Sequence, residues 1–310
     1  MKAPDEGRLP LLRPMLAVDG EPFDSPDYLY EVKWDGYRCL AYLEENTSIK
    51  SRNLKDLTLL FPELGNLHRS VEERPALLDG EVIALKDGLP SFDALQDRGR
   101  LTDPVKIRLA ARINPVVYVA FDLLFLSGRP LMDEPLKVRK EFLAAAVRSG
   151  EHLVISEFIV TEGKKFFAAC RERSLEGVMA KHLESRYLPG RRSPLWRKFR
   201  SLKEMDLFIC GYEEGRGERK LGALLLADFF NGRFWYRGKV GTGFDRREEE
   251  FLLNMLRPLE TVAPPGNFSG VKKHPRLHWV RPDLVCSVAY LGITEKGLLR
   301  HPRYLKIRHD

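Results

Sequence analysis

Lys33 stands between two acids in Glu31-Val32-Lys33-Trp34-Asp35-Gly36-Tyr37-Arg38, where an apolar strand pattern runs into a turn signal. Side chains of a strand alternate between faces, so Glu31 and Lys33 share one face and Val32 takes the other. A lysine at a strand end with an acid two residues before it and another two after is odd for a solvated edge, although the same residues also suit a charged hairpin tip in water. Glu81, in Leu78-Asp79-Gly80-Glu81-Val82-Ile83, is an acid inside an apolar strand. A buried carboxylate needs a cation, a metal or a polar ligand beside it. Further along, Glu176-Gly177-Val178-Met179-Ala180-Lys181 is followed by Trp196-Arg197-Lys198-Phe199-Arg200. Trp196, Lys198 and Arg200 fall on one strand face, a cationic ladder beside an aromatic ring. Several cations and several acids on internal strands suggest a phosphate site served by a divalent metal.

The pattern of apolar runs and turns predicts the elements that must position these groups. Leu29–Val32 and Cys39–Leu43 read as two strands around an Asp-Gly turn, and Leu77–Leu85 as a third. Val116–Phe125 is apolar on both faces, hence a buried central strand. Val178–Lys181 and Leu195–Phe199 are further short strands, and residues 1–27 are Pro-rich and irregular. Helical patterns occupy Ser91–Asp97, Pro104–Ala111, Val138–Val147 and Lys164–Arg173. Beyond Leu202 the text changes. Asp206–Tyr212, Ala223–Phe230, Arg233–Val240, Leu284–Leu291 and Tyr304–Arg308 read as strands, with Asn231-Gly232 as a hairpin turn and Arg246–Leu256 as one helix. Short strands with one helix suit a small barrel of the OB type. The expected division is therefore 1–202 and 203–310.

Composition bounds the reading. The chain has 310 residues, 44% hydrophobic and 31% charged, enough for two domains with real cores. The start shows no apolar secretory segment, and no run is long enough to span a bilayer. Cys39, Cys170, Cys210 and Cys286 are scattered, which excludes a zinc ribbon and a disulfide scaffold and fits a reducing cytoplasm. Net charge is +7, of which +5 falls in 203–310 (19 basic against 14 acidic residues). That excess fits a nucleic-acid partner without requiring one. His274 and His278 have helical spacing, but Pro275 lies between them, so they read as ordinary surface residues.

Taken together, the motifs resemble the nucleotidyltransferase superfamily of ATP-dependent DNA ligases, RNA ligases and mRNA capping enzymes. Lys33-x-Asp35-Gly36-x-Arg38 is similar to its first motif and Ser51-Arg52-Asn53 to the next. Asp79-Gly80-Glu81 and Phe121-Asp122-Leu123-Leu124 resemble the third region, Glu176–Lys181 the fourth motif, and Trp196-x-Lys198-x-Arg200 the fifth. Order and spacing agree from Pro14 to the end. Arg13-Pro14-Met15-Leu16-Ala17 and Gly297-Leu298-Leu299-Arg300-His301-Pro302 look most like the ligase domain of bacterial ligase D, the non-homologous end-joining ligase that works with Ku. Two departures stand out. Arg200 replaces the usual second lysine of the fifth motif, and Arg308-His309-Asp310, which resembles the start of the family's sixth motif (Arg-x-Asp-Lys), stops short of its lysine.

The resemblance implies an α+β fold: a nucleotidyltransferase domain of ATP-grasp-like antiparallel sheets with helices, followed by a small OB-fold barrel. It implies an ATP-dependent DNA ligase that seals 5′-phosphate/3′-hydroxyl nicks in DNA repair or end joining. An RNA ligase or capping-type nucleotidyltransferase is the alternative. An NAD-dependent ligase would need more chain than the 32 residues before Lys33, and paired zinc cysteines. By the same resemblance Lys33 is the nucleophile that takes AMP from ATP. An amine attacks only when unprotonated, so burial, Lys181, Lys198 and a bound metal are expected to favour that form. Glu31 would read the adenine amino group and Phe121 would stack on the base. Arg38 and Arg52 would bind ribose, phosphate or nick ends, and Glu81 the ribose or metal waters. Asp35, Glu81 and Glu176 would hold Mg²⁺ or Mn²⁺. Lys181, Arg192, Lys198 and Arg200 would contact phosphates, and Arg308 would orient pyrophosphate. Glu176 and Lys181 are five apart, so a regular strand would put them on opposite faces. Glu176 is therefore expected before the strand, with Gly177 permitting an irregular backbone. The implied partners are nicked double-stranded DNA, Ku, and end-joining polymerase and nuclease modules, for a monomer in the bacterial cytoplasm at the nucleoid, away from membranes.

Overall fold

The computed structural model describes residues 9–266, 268 and 270–308. Along the first part run β1 (Leu16–Asp19), β2 (Ser25–Val32), β3 (Tyr37–Leu43), β4 (Thr47–Ser51), β5 (Ala76–Lys86), α1 (Phe92–Gly99), α2 (Pro104–Ile113) and β6 (Val116–Leu126). Then come α3 (Leu136–Ala146), β7 (Leu153–Ile155), β8 (Phe158–Thr161), α4 (Gly163–Glu172), β9 (Gly177–His182) and β10 (Arg192–Arg200). The second part has β11 (Lys203–Glu214), β12 (Leu221–Phe230), β13 (Arg233–Val240), α5 (Arg246–Leu256), β14 (Leu277–Val280), β15 (Val285–Tyr290) and β16 (Arg303–Ile307). The chain divides into two compact units, residues 1–201 and 202–310.

The first unit is built on two sheets. One has the order β1-β10-β9-β2-β8; the other runs β4-β3-β5-β6, with β7 parallel beside β6. Leu40, Tyr42, Leu77 and Phe125 of the second sheet pack with Trp196 of the first, together with Met15 and Ala17 from the segment before β2. The outer face of the first sheet packs Tyr30, Val178 and Phe199 against Phe166 and Phe167 of α4. The outer face of the second carries the main core, including Leu78, Val82, Tyr118, Leu95 of α1 and Leu143 of α3. Helix starts follow local chemistry: Ser91, Asp103 and Asp245 cap α1, α2 and α5 by accepting backbone N–H bonds.

Two expectations for this unit are corrected. β2 and β3 do not form a hairpin, since they belong to different sheets and Trp34-Asp35-Gly36 carries the chain across from one to the other. Gly36 is required there by close approach: a Cβ would stand 2.2 Å from the Val82 carbonyl oxygen. Residues 1–27 are also not wholly irregular, because β1 pairs in parallel with β10. Its partner lies far away in sequence, which is why a local pattern misses it.

In the second unit β11 is the spine. It pairs with β12 on one edge, and with β14 and β15 on the other, while β15 also pairs with β16. The ladder returns towards β13 through the Tyr304 N–H, which donates to the Thr242 carbonyl at 2.9 Å. Leu252, Leu253 and Leu256 of α5 join the interior formed by Leu207, Ile209, Leu224 and Val288. Asn231 and Gly232 both have positive φ, as the tight turn between β12 and β13 demands. β14 was absent from the sequence-based strand set. It carries His278, which stacks on Tyr212 at 4.8 Å and contacts Glu214 and Glu260, while His274 contacts Glu213 at 2.8 Å. These histidines are half-buried, held by stacking and by contacts with carboxylates within the second unit, rather than standing as ordinary surface residues.

Candidate active site

The first sheet sets out a row of functional side chains. Glu31 pairs with Met179 and Met179 with Lys198; Lys181 pairs with Trp196, and Gly177 with Arg200. Directly paired residues share a face, so Glu31, Lys181, Trp196, Lys198 and Arg200 point to one side. Phe199 and Tyr30 point to the other, towards α4. Lys33 lies just past β2 and continues its bonding, its N–H donating to the Gly177 carbonyl at 2.9 Å. Its ammonium meets Glu176 at 2.5 Å. Gly177 has φ of +151°, and a Cβ there would sit 1.9 Å from the Phe199 carbonyl oxygen. Only glycine fits, and this irregular residue lets Glu176 and Lys181 serve one site despite their spacing.

The second sheet supplies Arg38, Glu81 and Phe121. Arg38 pairs with Glu81 across β3 and β5. Its Nε and Nη2 donate to the two oxygens of buried Asp79, each at 2.6 Å, and Asp79 also accepts from the Tyr187 hydroxyl at 2.6 Å. The Arg38 guanidinium lies 4.6 Å from the Phe121 ring centre, and the Lys181 ammonium 4.1 Å from it. Phe121 is thus a buried aromatic surface already engaged by cations. Arg52 is exposed beyond β4, its N–H donating to the Arg38 carbonyl at 2.9 Å.

Lys181, expected among phosphate contacts, spends its ammonium on Glu31 at 2.6 Å, and both groups are buried. Burial pushes it down to about 8; Glu31 opposes that shift and Lys140 adds to it. The cations that do gather near Lys33 are Lys198, Arg200 and Arg192. Burial, then Arg200, holds Lys198 below its ordinary range, with Arg192 and Lys33 adding repulsion and Asp19 opposing them. Asp19 contacts Lys198 at 3.7 Å and Arg200 at 3.2 Å, yet is itself largely exposed. Arg192 donates to the Ala17 carbonyl. Glu176 and an exposed aspartate answer three of these four cations and a backbone carbonyl the fourth, an excess of positive charge that leaves room for a polyanion.

Lys33, Asp35 and Glu176 line one cleft with Arg173, Leu175, Leu89 and Pro90. Glu81 lies close enough to feel Lys33 and Glu176. Burial pushes its carboxyl up to about 8; Arg38 and Lys33 oppose this, and Glu176 and Asp79 add repulsion. Among the described residues no three His, Cys, Asp or Glu side chains converge as a metal group, so Asp35, Glu81 and Glu176 are not assembled into one three-carboxylate cage. The mutually repelling pair Glu81 and Glu176 nonetheless suits a hard divalent ion, which commonly takes one or two carboxylates and completes its shell with water and phosphate oxygens.

Sequence reasoning missed Lys140, which contacts Glu31 from α3 and is buried. The signal was present: Leu136, Arg139, Lys140 and Leu143 form the buried stripe of that helix, with two cations at apolar positions. Arg139 answers Asp122 with two bonds of 2.8 Å, both side chains fully buried. In the second unit Arg308 lies 3.4 Å from Asp206; His309 and Asp310 lie outside the described residues.

Comparison with known proteins follows the same outline. Residues 14–200 match the family described as ATP dependent DNA ligase domain, and residues 217–310 match the ATP dependent DNA ligase C terminal region. The multifunctional non-homologous end joining DNA repair protein LigD of Mycobacterium tuberculosis is 33% identical over 306 residues, covering 96% of this chain and 39% of that protein. A DNA ligase of Thermococcus onnurineus is 30% identical over 322 residues, covering 96% of this chain and 56% of that protein. A solved mycobacterial DNA ligase D complexed with ATP and MES superposes with a TM-score of 0.57 at 33% identity, over 96% of this chain and 95% of that one. The chain spans about two fifths of the length of the LigD relative. With the family match running through both the Lys33 and Lys198 strands, this chain belongs to the ATP-dependent DNA ligase family.

Proposed function

We propose that the protein seals nicks in double-stranded DNA, joining a 5′-phosphate to a 3′-hydroxyl through a lysyl-AMP intermediate. The observation that carries this is the placement of Lys33 against Glu176, beside Lys198, with Arg192 and Arg200 close to Lys198. The Lys33 amine attacks the α-phosphorus of ATP, a P–N bond forms, and pyrophosphate departs. AMP then passes from Lys33 to the 5′-phosphate of the nick. Attack by the 3′-hydroxyl closes the strand and releases AMP. Such transfers depend on in-line positioning and charge neutralisation more than on proton chemistry.

The site residues divide the work. Lys33 attacks only as the free amine, so its contact with Glu176 must open first. Lys198, Arg192 and Arg200 receive the phosphates, with the planar fork of Arg200 suited to two oxygens at once. Phe121 carries the base, and Glu31 accepts from its amino group. Lys181 supports that end rather than the phosphates. Arg38 and Arg52 meet ribose, phosphate or nick ends, and Arg308 orients pyrophosphate. Glu81 and Glu176, with Asp35, would hold Mg²⁺ or Mn²⁺, directly or through water. That ion would neutralise charge on the phosphate oxygens.

The end-joining names of the LigD relatives support a role in repairing double-strand breaks, and the motif resemblance adds Ku and polymerase and nuclease modules as the partners proposed. We place the ligase as a monomer at the nucleoid in the cytoplasm. No helix among the described residues is long and apolar enough to cross a membrane. Intact-protein mass spectrometry tests the chemistry. Wild type should gain one AMP on incubation with ATP and Mg²⁺, and Lys33→Ala should gain none. An adduct persisting in the variant would remove Lys33 from its role.

A further inference from the structure

α3 sends two cations into the interior, and only one has a fully evident structural purpose. Arg139 is matched by Asp122 and also donates to the carbonyls of Glu134 and Ser185. Lys140 is 5% exposed, donates to Oε1 of Glu31 and lies 5.3 Å from the Phe158 ring. The other Glu31 oxygen, Oε2, already holds the Lys181 ammonium at 2.6 Å. Glu31 and Lys181 alone would balance one another. A second buried ammonium adds desolvation cost without neutralising anything further, so stability does not account for it.

Geometry gives Lys140 a different task. A carboxylate held by one ammonium can rotate about its terminal torsion. Glu31 is held at both oxygens, by groups from a strand and a helix, and its plane is thereby fixed. A carboxylate offers about four acceptor positions, so two ammoniums leave others open. Lys181 also lies against Phe121, 4.1 Å from the ring centre, which ties the clamped carboxylate to the aromatic surface proposed for the base.

We infer that Lys140 is a positioning residue for nucleotide recognition: it aims the Glu31 carboxylate at the 6-amino group of the base and so favours ATP over nucleotides lacking that donor. This rests on the reading of Glu31 given above, and the test separates the two. Lysyl-nucleotide formation is followed with ATP and with purine riboside triphosphate, which carries hydrogen in place of the amino group. Wild type should show a KM at least about tenfold lower for ATP, the scale of a hydrogen bond to a charged acceptor. Lys140→Met, which leaves Glu31 its Lys181 partner and nearly conserves volume, should raise the KM for ATP about tenfold. Its kcat, and its KM for the purine analogue, should stay within about twofold of wild type; Lys140→Arg should recover most of the preference for ATP. Equal loss with both nucleotides, or an undiminished preference for ATP in Lys140→Met, would overturn the role of Lys140 alone. Wild type using both nucleotides equally would instead remove amino-group reading by Glu31, and the present inference with it. Far-ultraviolet circular dichroism confirms that each variant is folded before kinetics are compared.

Discussion

Glu81→Gln isolates the electrostatic strain at the site. The Glu81 carboxyl is pushed from 4.5 up to about 8, first by burial and then by Glu176 and Asp79, against the pull of Arg38 and Lys33. The native state therefore keeps a proton that the unfolded chain has lost between pH 4.5 and about 8. Stability falls as pH rises through that window, and the loss is complete above it. At about 1.4 kcal/mol per tenfold, the full separation is worth at most ~5 kcal/mol. Glu81 keeps some contact with solvent, which brings the expected figure to ~2–3 kcal/mol. Gln fills the same space without titrating. Melting curves of the two proteins should coincide near pH 4.5 and separate progressively, with Glu81→Gln ~5–10 °C higher at pH 9. Mg²⁺ or Mn²⁺ should raise the Tm of wild type at pH 9 more than that of the variant, because one of the carboxylates that would meet the ion is gone. Melting temperatures that stay parallel across the whole range would refute the claim that Glu81 is strained by its site.

Three further outcomes can be checked directly. Arg139→Met leaves the buried Asp122 carboxylate unpaired and should cost ~3–5 kcal/mol in urea unfolding, much of it recovered in Asp122→Leu/Arg139→Met. Gly177→Ala forces a Cβ against the Phe199 carbonyl and displaces Glu176 from where it would hold the divalent ion, so self-adenylation measured with labelled ATP should fall at least about tenfold alongside a lower Tm. Arg308→Ala should slow self-adenylation by about tenfold or more, through loss of a cation near pyrophosphate, while sealing of a pre-adenylated nick in a gel assay stays near wild type. Equal loss of both activities would assign Arg308 to the fold or to DNA contact.

Much of the site was written locally. Lys33, Glu81, Glu176 and Lys198 announced themselves as charged residues in or beside apolar strands, where burial forces each to find a partner. The irregular backbone at Gly177 followed from parity together with the motif resemblance, which places Glu176 and Lys181 at one site: five residues cannot return to one face of a regular strand. Helices α2 and α5 and the Asn231-Gly232 turn were visible because capping and turn chemistry act over a few residues. Tertiary structure alone decided which groups met. An Asp-Gly turn looks the same whether its flanking strands pair or diverge, and only the partners of β2 and β3 show that Lys33 stands where the chain passes between sheets. β1 depends on β10, more than 170 residues away, and β14 on β11, more than 60 residues away. The pairing of Lys140 with Glu31 spans 109 residues. Local patterns record what a side chain needs, a face or a countercharge. Which distant segment supplies it is settled by packing the whole core, because contacts far apart in the chain form only when the intervening elements have found their places.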